Sequence, residues 1–97
     1  MDTEVIAMTL IAHSGDARTM ALQAAKKLDF AEAERLMQES KKAAVKAHNA
    51  QTELLAAEAN GEKPEVNVLL VHSQDHLMTS MLAQELIGEM IQMYKEF

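Results

Sequence analysis

Apolar residues recur along this chain at intervals of three and four, over three long stretches separated by two short breaks. The middle stretch, from Phe30 to about Glu58, carries Ala31, Ala33, Leu36, Met37, Ala43, Ala44, Ala47, Ala50, Leu54 and Leu55, with Glu and Lys in most of the gaps. That is an amphipathic helix with a solvated face. A first helix is expected from about Thr3 to Lys27. Asp2 and Thr3 can cap its start, and Lys26 and Lys27 suit its negative end. Asp29, with Glu32 three residues on, reads as an N-cap close to a capping box. The clearest loop is Asn60-Gly61-Glu62-Lys63-Pro64-Glu65, where Pro64 fixes its own φ and steers Lys63 away from helix. The last stretch runs from Val66 to about Phe97 with Gly88 as its only breaker. Its opening, Val66 to Val71, could pass for a strand. Helix is preferred, because a lone short strand has nothing to pair with and the apolar pattern continues at helical spacing. Three helices of about 25–30 residues, each about 40 Å long, predict an all-α fold: an antiparallel three-helix bundle, one domain over residues 1–97.

The third helix is apolar on two sides. At about 100° per residue, His72, Asp75, His76 and Thr79 share a face that continues as Val68, Ala83, Leu86 and Met90. Leu70, Leu77 and Met81 lie on the far side, and Val71, Met78 and Leu82 flank one edge. A helix apolar on opposite faces is buried on both. Two neighbouring helices cover only one, so a second copy of the chain is expected on the other, with His72, Asp75, His76 and Thr79 at or near the contact. The competing expectation is a monomer bent to cover both faces, with these groups as ordinary polar core. Two His and one Asp on an apolar face are costly unless something uses them.

Composition narrows the field. Aromatics are 3% (Tyr94, Phe30 and Phe97), and 3 Gly with 1 Pro leave too little turn chemistry for a many-stranded β fold. A chain of 97 residues buries only about 60–65% of its unfolded surface, so association would thicken a thin core. The net charge of −6 argues against nucleic acid and anionic membrane surfaces as partners. The absence of Cys removes disulfides, zinc–thiolate sites and thiol nucleophiles. Met1-Asp2-Thr3-Glu4 lacks the basic end of a secretory signal. No apolar run approaches the roughly 20 residues that span a bilayer. The expectation is a cytoplasmic protein without direct membrane insertion.

Three chemistries suit the polar cluster. His72 and His76 stand at i, i+4, so both imidazoles can reach one metal ion. His-Ser-Gln-Asp-His is not the zincin pattern, because its acid sits at the wrong place for a general base. A neutral imidazole is also a good nucleophile near pH 7, which suits phosphoryl transfer through a phosphohistidine. The third possibility is a helical adaptor with buried histidines. Elsewhere, His13 lies beside Ser14 and Gly15, whose small size suggests close helix packing; a structural hydrogen bond is the expected job of His48, and Arg18 is expected to cap or pair locally. Lys41, Lys42 and Lys46 read as a solvated basic stretch, and the eight Met as adaptable core and interface filler.

The stretch Val71-His72-Ser73-Gln74-Asp75-His76-Leu77-Met78-Thr79 closely resembles the active-site helix of the enzyme IIA components of the lactose/cellobiose (and N,N′-diacetylchitobiose) phosphotransferase systems, with motif Val-His-Ala-Gln/Glu-Asp-His-Leu-Met. Ser14-Gly15-Asp16-Ala17-Arg18, Asp29-Phe30, Ala47-His48 and Gln51-Thr52 are similar to that family's segments in the same order. Leu28 stands where Gly is common and Ser73 where Ala is usual; neither is expected to touch the reacting groups. The resemblance implies that His72 accepts phosphate from the phosphocarrier HPr and hands it to a cysteine of the IIB component. It implies that Gln74 and His76 line the phosphohistidine pocket. It also implies a homotrimer of three-helix bundles, with Asp75 from each of three subunits on the threefold axis, often around Mg²⁺ or another divalent cation of structural role. No cofactor serves the chemistry, and Met78 and Leu82 are candidates for partner contact. The sugar would be a lactose/cellobiose-type disaccharide. The rival readings are a metal-binding helical trimer and a histidine phosphotransfer domain of two-component signalling. The latter are usually four-helix bundles with Lys-Gly after the histidine, unlike Ser73-Gln74.

Overall fold

Each helix starts where a short polar side chain can take up free backbone N–H groups. In the computed structural model, which describes residues 2–27 and 29–97, α1 spans Thr3–Ala25, α2 Phe30–Ala59 and α3 Val68–Glu96. Leu28, the family departure noted above, lies outside the described residues. Asp2 accepts from the N–H groups of Glu4 and Val5, and Asp29 from those of Ala31 and Glu32. The capping box at Asp29 is half made. Glu32 turns to the Arg35 guanidinium instead, whose hydrogen bonds hold its carboxyl below the usual carboxylate range.

The end of α2 is a Schellman motif. Glu62 N–H donates to Ala57 O and Gly61 N–H to Glu58 O, and Gly61 takes φ 90°. Adding a Cβ there would strain the backbone. Two boundaries differ from the sequence reading. α1 ends at Ala25, so Lys26 and Lys27 sit just past the last turn. α3 begins at Val68 and not Val66, because Asn67 adopts an extended conformation and its Oδ1 accepts from Leu70 N–H at 2.8 Å. An Asn side chain competes well for such a bond and so starts helices better than it continues them.

The short turn after α1 and the loop after α2 send the chain up, down and up again, within 51 × 21 × 16 Å. α1 packs closely on both other helices, while α2 and α3 touch one another far less. The core divides into two clusters. Ile6, Ala7, Leu10, Ala47, Ala50, Leu54, Leu70 and Leu77 form one; Ala21, Ala24, Ala33, Leu36, Met37, Ile87 and Ile91 form the other. Between them along the helices lie the buried Ser14, Ala17, Ser40, Ala43 and Ser80. Here Gln84 Nε2 donates to Ser40 Oγ at 2.8 Å, and Ser40 Oγ–H donates to Ala17 O at 2.6 Å, joining all three helices.

The close packing expected around Gly15 is carried by Ser14 and Ala17. A Cβ at Gly15 would meet nothing within 4 Å. Among the described residues, Leu10 and Leu77 are the only large apolar side chains buried to 1% exposure or less. Leu77→Ala is therefore expected to cost about 2–5 kcal/mol of folding stability, read as a lower urea midpoint with unchanged slope. A loss under about 1 kcal/mol would mean that Leu77 is not the keystone of the first cluster.

Candidate phosphohistidine site

α3 turns one face into the bundle and leaves the opposite face open. Leu70, Ser73, Leu77, Ser80, Ile87 and Ile91 are buried, whereas Val68 is 86%, Leu86 55% and Met90 45% exposed. The bundle does not bend to cover both. Ser73 explains part of the choice. It stands next to His72 on the inward side, fully buried, and its Oγ–H is satisfied by Leu70 O at 2.6 Å. A small hydroxyl that bonds its own helix fits inside the bundle without an orphaned polar atom.

With Ser73 and Leu77 turned in, the helical period turns His72, Asp75 and Thr79 out, and all three are exposed. His72 and His76, one turn apart, form a pair. Their Nε2 atoms are 3.0 Å apart, with ring centroids at 4.5 Å and planes at 90°. His72 is the more open ring; His76 is half-buried, and its Nδ1 is enclosed with no hydrogen-bond partner. Thr79 Oγ1–H is spent on Asp75 O at 2.8 Å. The Asp75 carboxylate makes no ion pair among the described residues.

The structure thus brings together His72, His76 and, on the same open side, Asp75. It does not bring Gln74 to His72 within one chain. Gln74 lies about 160° round the helix and faces α2, where its Oε1 accepts from Gln51 Nε2–H at 2.7 Å and its own Nε2 is enclosed without a partner. The Gln51–Gln74 pair joins positions 23 residues apart. Periodicity could not find it; the family-like Gln51-Thr52 segment was the only hint. Met78 and Leu82 are exposed beside the cluster. His48 is exposed; its carbonyl accepts from Thr52 Oγ1–H, and its ring makes no hydrogen bond among the described residues, against expectation. Arg18 is exposed and in no ion pair among those residues. Lys41, Lys42 and Lys46 are exposed, as expected.

Within one chain no group of three or more His, Asp or Glu side chains among the described residues could hold a metal ion. Nor is any helix long and apolar enough to cross a membrane. What one chain offers is an open imidazole whose Nε2 is hydrogen-bonded to a second, less accessible ring. Such a group can act as a nucleophile and hold a transferred group at the surface.

The family model described as PTS system, Lactose/Cellobiose specific IIA subunit, matches residues 5–95. The chain is similar to the PTS system N,N′-diacetylchitobiose-specific EIIA component of Escherichia coli (strain K12), at 46% identity over 98% of this chain and 84% of that protein. It also resembles the crystal structure of the PTS cellobiose specific enzyme IIA from Bacillus anthracis, with TM-score 0.94 and 45% identity over 99% of this chain and 91% of that one. A third match is to the solution structures of the IIA(Chitobiose)–HPr complex of the Escherichia coli phosphotransferase system. There the TM-score is 0.82 and the identity 44%, over 99% of this chain and 96% of that one.

Proposed function

The chain belongs to the lactose/cellobiose-specific IIA subunits of the phosphotransferase system, and from that premise we propose that it is a cytoplasmic phosphoryl carrier working through a phosphohistidine at His72. It takes phosphate from phospho-HPr and passes it to a cysteine of a IIB component, for uptake of a lactose/cellobiose-type disaccharide that never touches this chain. The observation that carries the assignment is the open imidazole of His72, its Nε2 3.0 Å from His76 Nε2, on a helix with the family's motif.

In the transfer His72 attacks phosphorus in line. The transition state is loose, so the protein's contribution is to position the groups and stabilise charge. The same in-line geometry, reversed, delivers the phosphoryl group to IIB. Incubation with phosphoenolpyruvate, enzyme I and HPr tests the reading. One phosphoryl group of acid-labile mass should appear per chain and disappear on adding IIB. Phosphate exchange with a response regulator instead would favour the signalling domain. Failure of both transfers would leave the metal-binding trimer.

The open face of α3 supports the homotrimer. Val68, Leu86 and Met90 form an apolar stripe that a single bundle leaves to water. In a cyclic trimer one edge of that face meets the opposite edge of the neighbour's. The edge with His72 and His76 then faces the neighbour's edge with Gln74, Met78 and Leu82. Gln74 reaches the pocket of a neighbouring subunit, turning its amide away from Gln51 to do so. Met78 and Leu82 border that pocket and offer apolar contact to HPr and IIB in turn.

Asp75 lies on the same open side, so a threefold axis brings three copies together. One chain supplies one carboxylate, and only the assembly makes an all-oxygen site, which suits Mg²⁺ or a similar hard cation. The ion would neutralise three repelling carboxylates and play no part in transfer. Asp75→Leu removes the repulsion and adds apolar contact, so this variant is expected to associate at least as tightly as wild type. A chelator should weaken wild-type association and leave Asp75→Leu unaffected, as read by sedimentation. A monomeric Asp75→Leu protein would sink the axial site.

A further inference from the structure

The two imidazoles meet Nε2 to Nε2 at 3.0 Å, so one of these nitrogens carries the hydrogen and the other offers a lone pair. The remaining nitrogen of each ring decides which. His72 is exposed as a residue in the single bundle, so its own chain does not force either state on its Nδ1. His76 Nδ1 is enclosed by its own chain and has no partner. Because that enclosure is complete within one chain, a neighbouring subunit, HPr or solvent does not supply a partner either.

Two neutral arrangements are possible. If His72 donates, His76 must carry its proton on Nδ1, leaving a buried N–H with no acceptor. If His76 donates, the enclosed atom is a bare nitrogen lone pair. Among backbone groups, orphaned buried N–H donors are rarer than under-satisfied carbonyls, and the tautomer of a histidine follows the surroundings of its second nitrogen. The second arrangement is favoured.

We propose that His76 is a positioning residue that selects the nucleophilic tautomer of His72: its Nε2–H donates to His72 Nε2, which places the His72 proton on Nδ1 and its lone pair on Nε2. The proposal rests on the reading of His72 as the phosphate acceptor. A neutral histidine side chain in water prefers its proton on Nε2, the form that cannot attack through that atom. In the transfer, the Nε2 lone pair of His72 forms the N–P bond while the bond from phosphorus to the donor breaks, its electron pair leaving with the donor. The positive charge placed on the ring is relieved by loss of the Nδ1 proton to water. His76 Nε2–H, released from the lone pair, is left beside the phosphoryl oxygens, to which it can donate.

Histidine-labelled protein in a long-range ¹H–¹⁵N correlation experiment reads the tautomers directly. In the neutral pair His72 should carry its proton on Nδ1 and His76 on Nε2. Protonation of His76 on Nδ1 would overturn the proposal. His76→Leu should shift His72 towards its Nε2–H form and slow phosphate uptake from phospho-HPr about tenfold, the size of effect one net hydrogen bond supports. His76→Gln, whose amide N–H reaches a similar position, should restore most of that rate. A His76→Leu protein in which His72 keeps its proton on Nδ1, or in which Gln restores nothing, also overturns it. Failure of the underlying reading looks different. A His72→Ala protein that still took up phosphate would remove the acceptor assignment and this proposal together, whatever the tautomers.

Discussion

His72→Ala is expected to take up no measurable phosphate from phospho-HPr, a fall of about a thousandfold or more, while its helicity and association stay as in wild type. The side chain is exposed and its only hydrogen-bond partner among the described residues is His76, so truncation removes a nucleophile and little packing. Its effect on folding should stay within about 0.5 kcal/mol. Three other histidines could compete. His76 is half-buried, with Nε2 against His72 and Nδ1 enclosed. His13 sits mid-helix on α1, and His48 is exposed on α2. Phosphopeptide mapping of the wild type should place the group on Nε2 of His72. Label on any of the other three would sink the assignment.

Met90→Glu is expected to prevent assembly of the proposed trimer at micromolar concentration. Met90 is exposed in a single bundle and lies in line with Val68, Leu86 and the histidine pair on the open face of α3. A threefold contact there would bury three unpaired carboxylates at once. Breaking charge balance in a buried site costs about 3–5 kcal/mol even for one uncompensated charge, so the loss of association should be large. The isolated bundle should remain helical, because neither core cluster includes this residue. Leu86→Glu should behave in the same way. Sedimentation showing a wild-type monomer, or a Met90→Glu trimer as tight as wild type, would remove the open face as the subunit contact.

Much of the architecture was legible because it depends on short spacings. Asp2, Asp29 and the loop from Asn60 to Glu65 mark the helix ends, and period-3.6 patterning separates the inward and outward sides of α3. The errors were local contests between side chain and backbone. Asn67 prefers to cap, which moved the start of α3 two residues on, and Arg35 drew Glu32 out of its capping box. What no periodicity encodes is the meeting of polar groups far apart in sequence. Gln74 counts as a pocket residue by its place in the motif, but in its own chain it is bonded to Gln51 across the bundle. The pairing of His72 with His76 was legible as i, i+4. The enclosure of one nitrogen of His76 was not, since it depends on what the folded chain lays against that ring.

The hydrogen-bonded chain from Gln84 through Ser40 to Ala17 has a consequence for His72, twelve positions away from Gln84 along α3. Alanine-rich helix faces are smooth, and smooth faces slide: Ala17, Ala21, Ala24, Ala43, Ala47 and Ala50 offer few large side chains to resist a shift in register. A slip of one residue would swing His72 about 100° out of line and move it about 1.5 Å along the helix; a slip of one turn would carry it about 5.4 Å. Gln84 meets Ser40 at only one height, because a short hydroxyl and a single carboxamide leave no second arrangement with the same bonds. The chain thus works as a vernier. It sets the elevation at which α3 holds its imidazole against α1 and α2, and with it the height of the histidine pair on the open face.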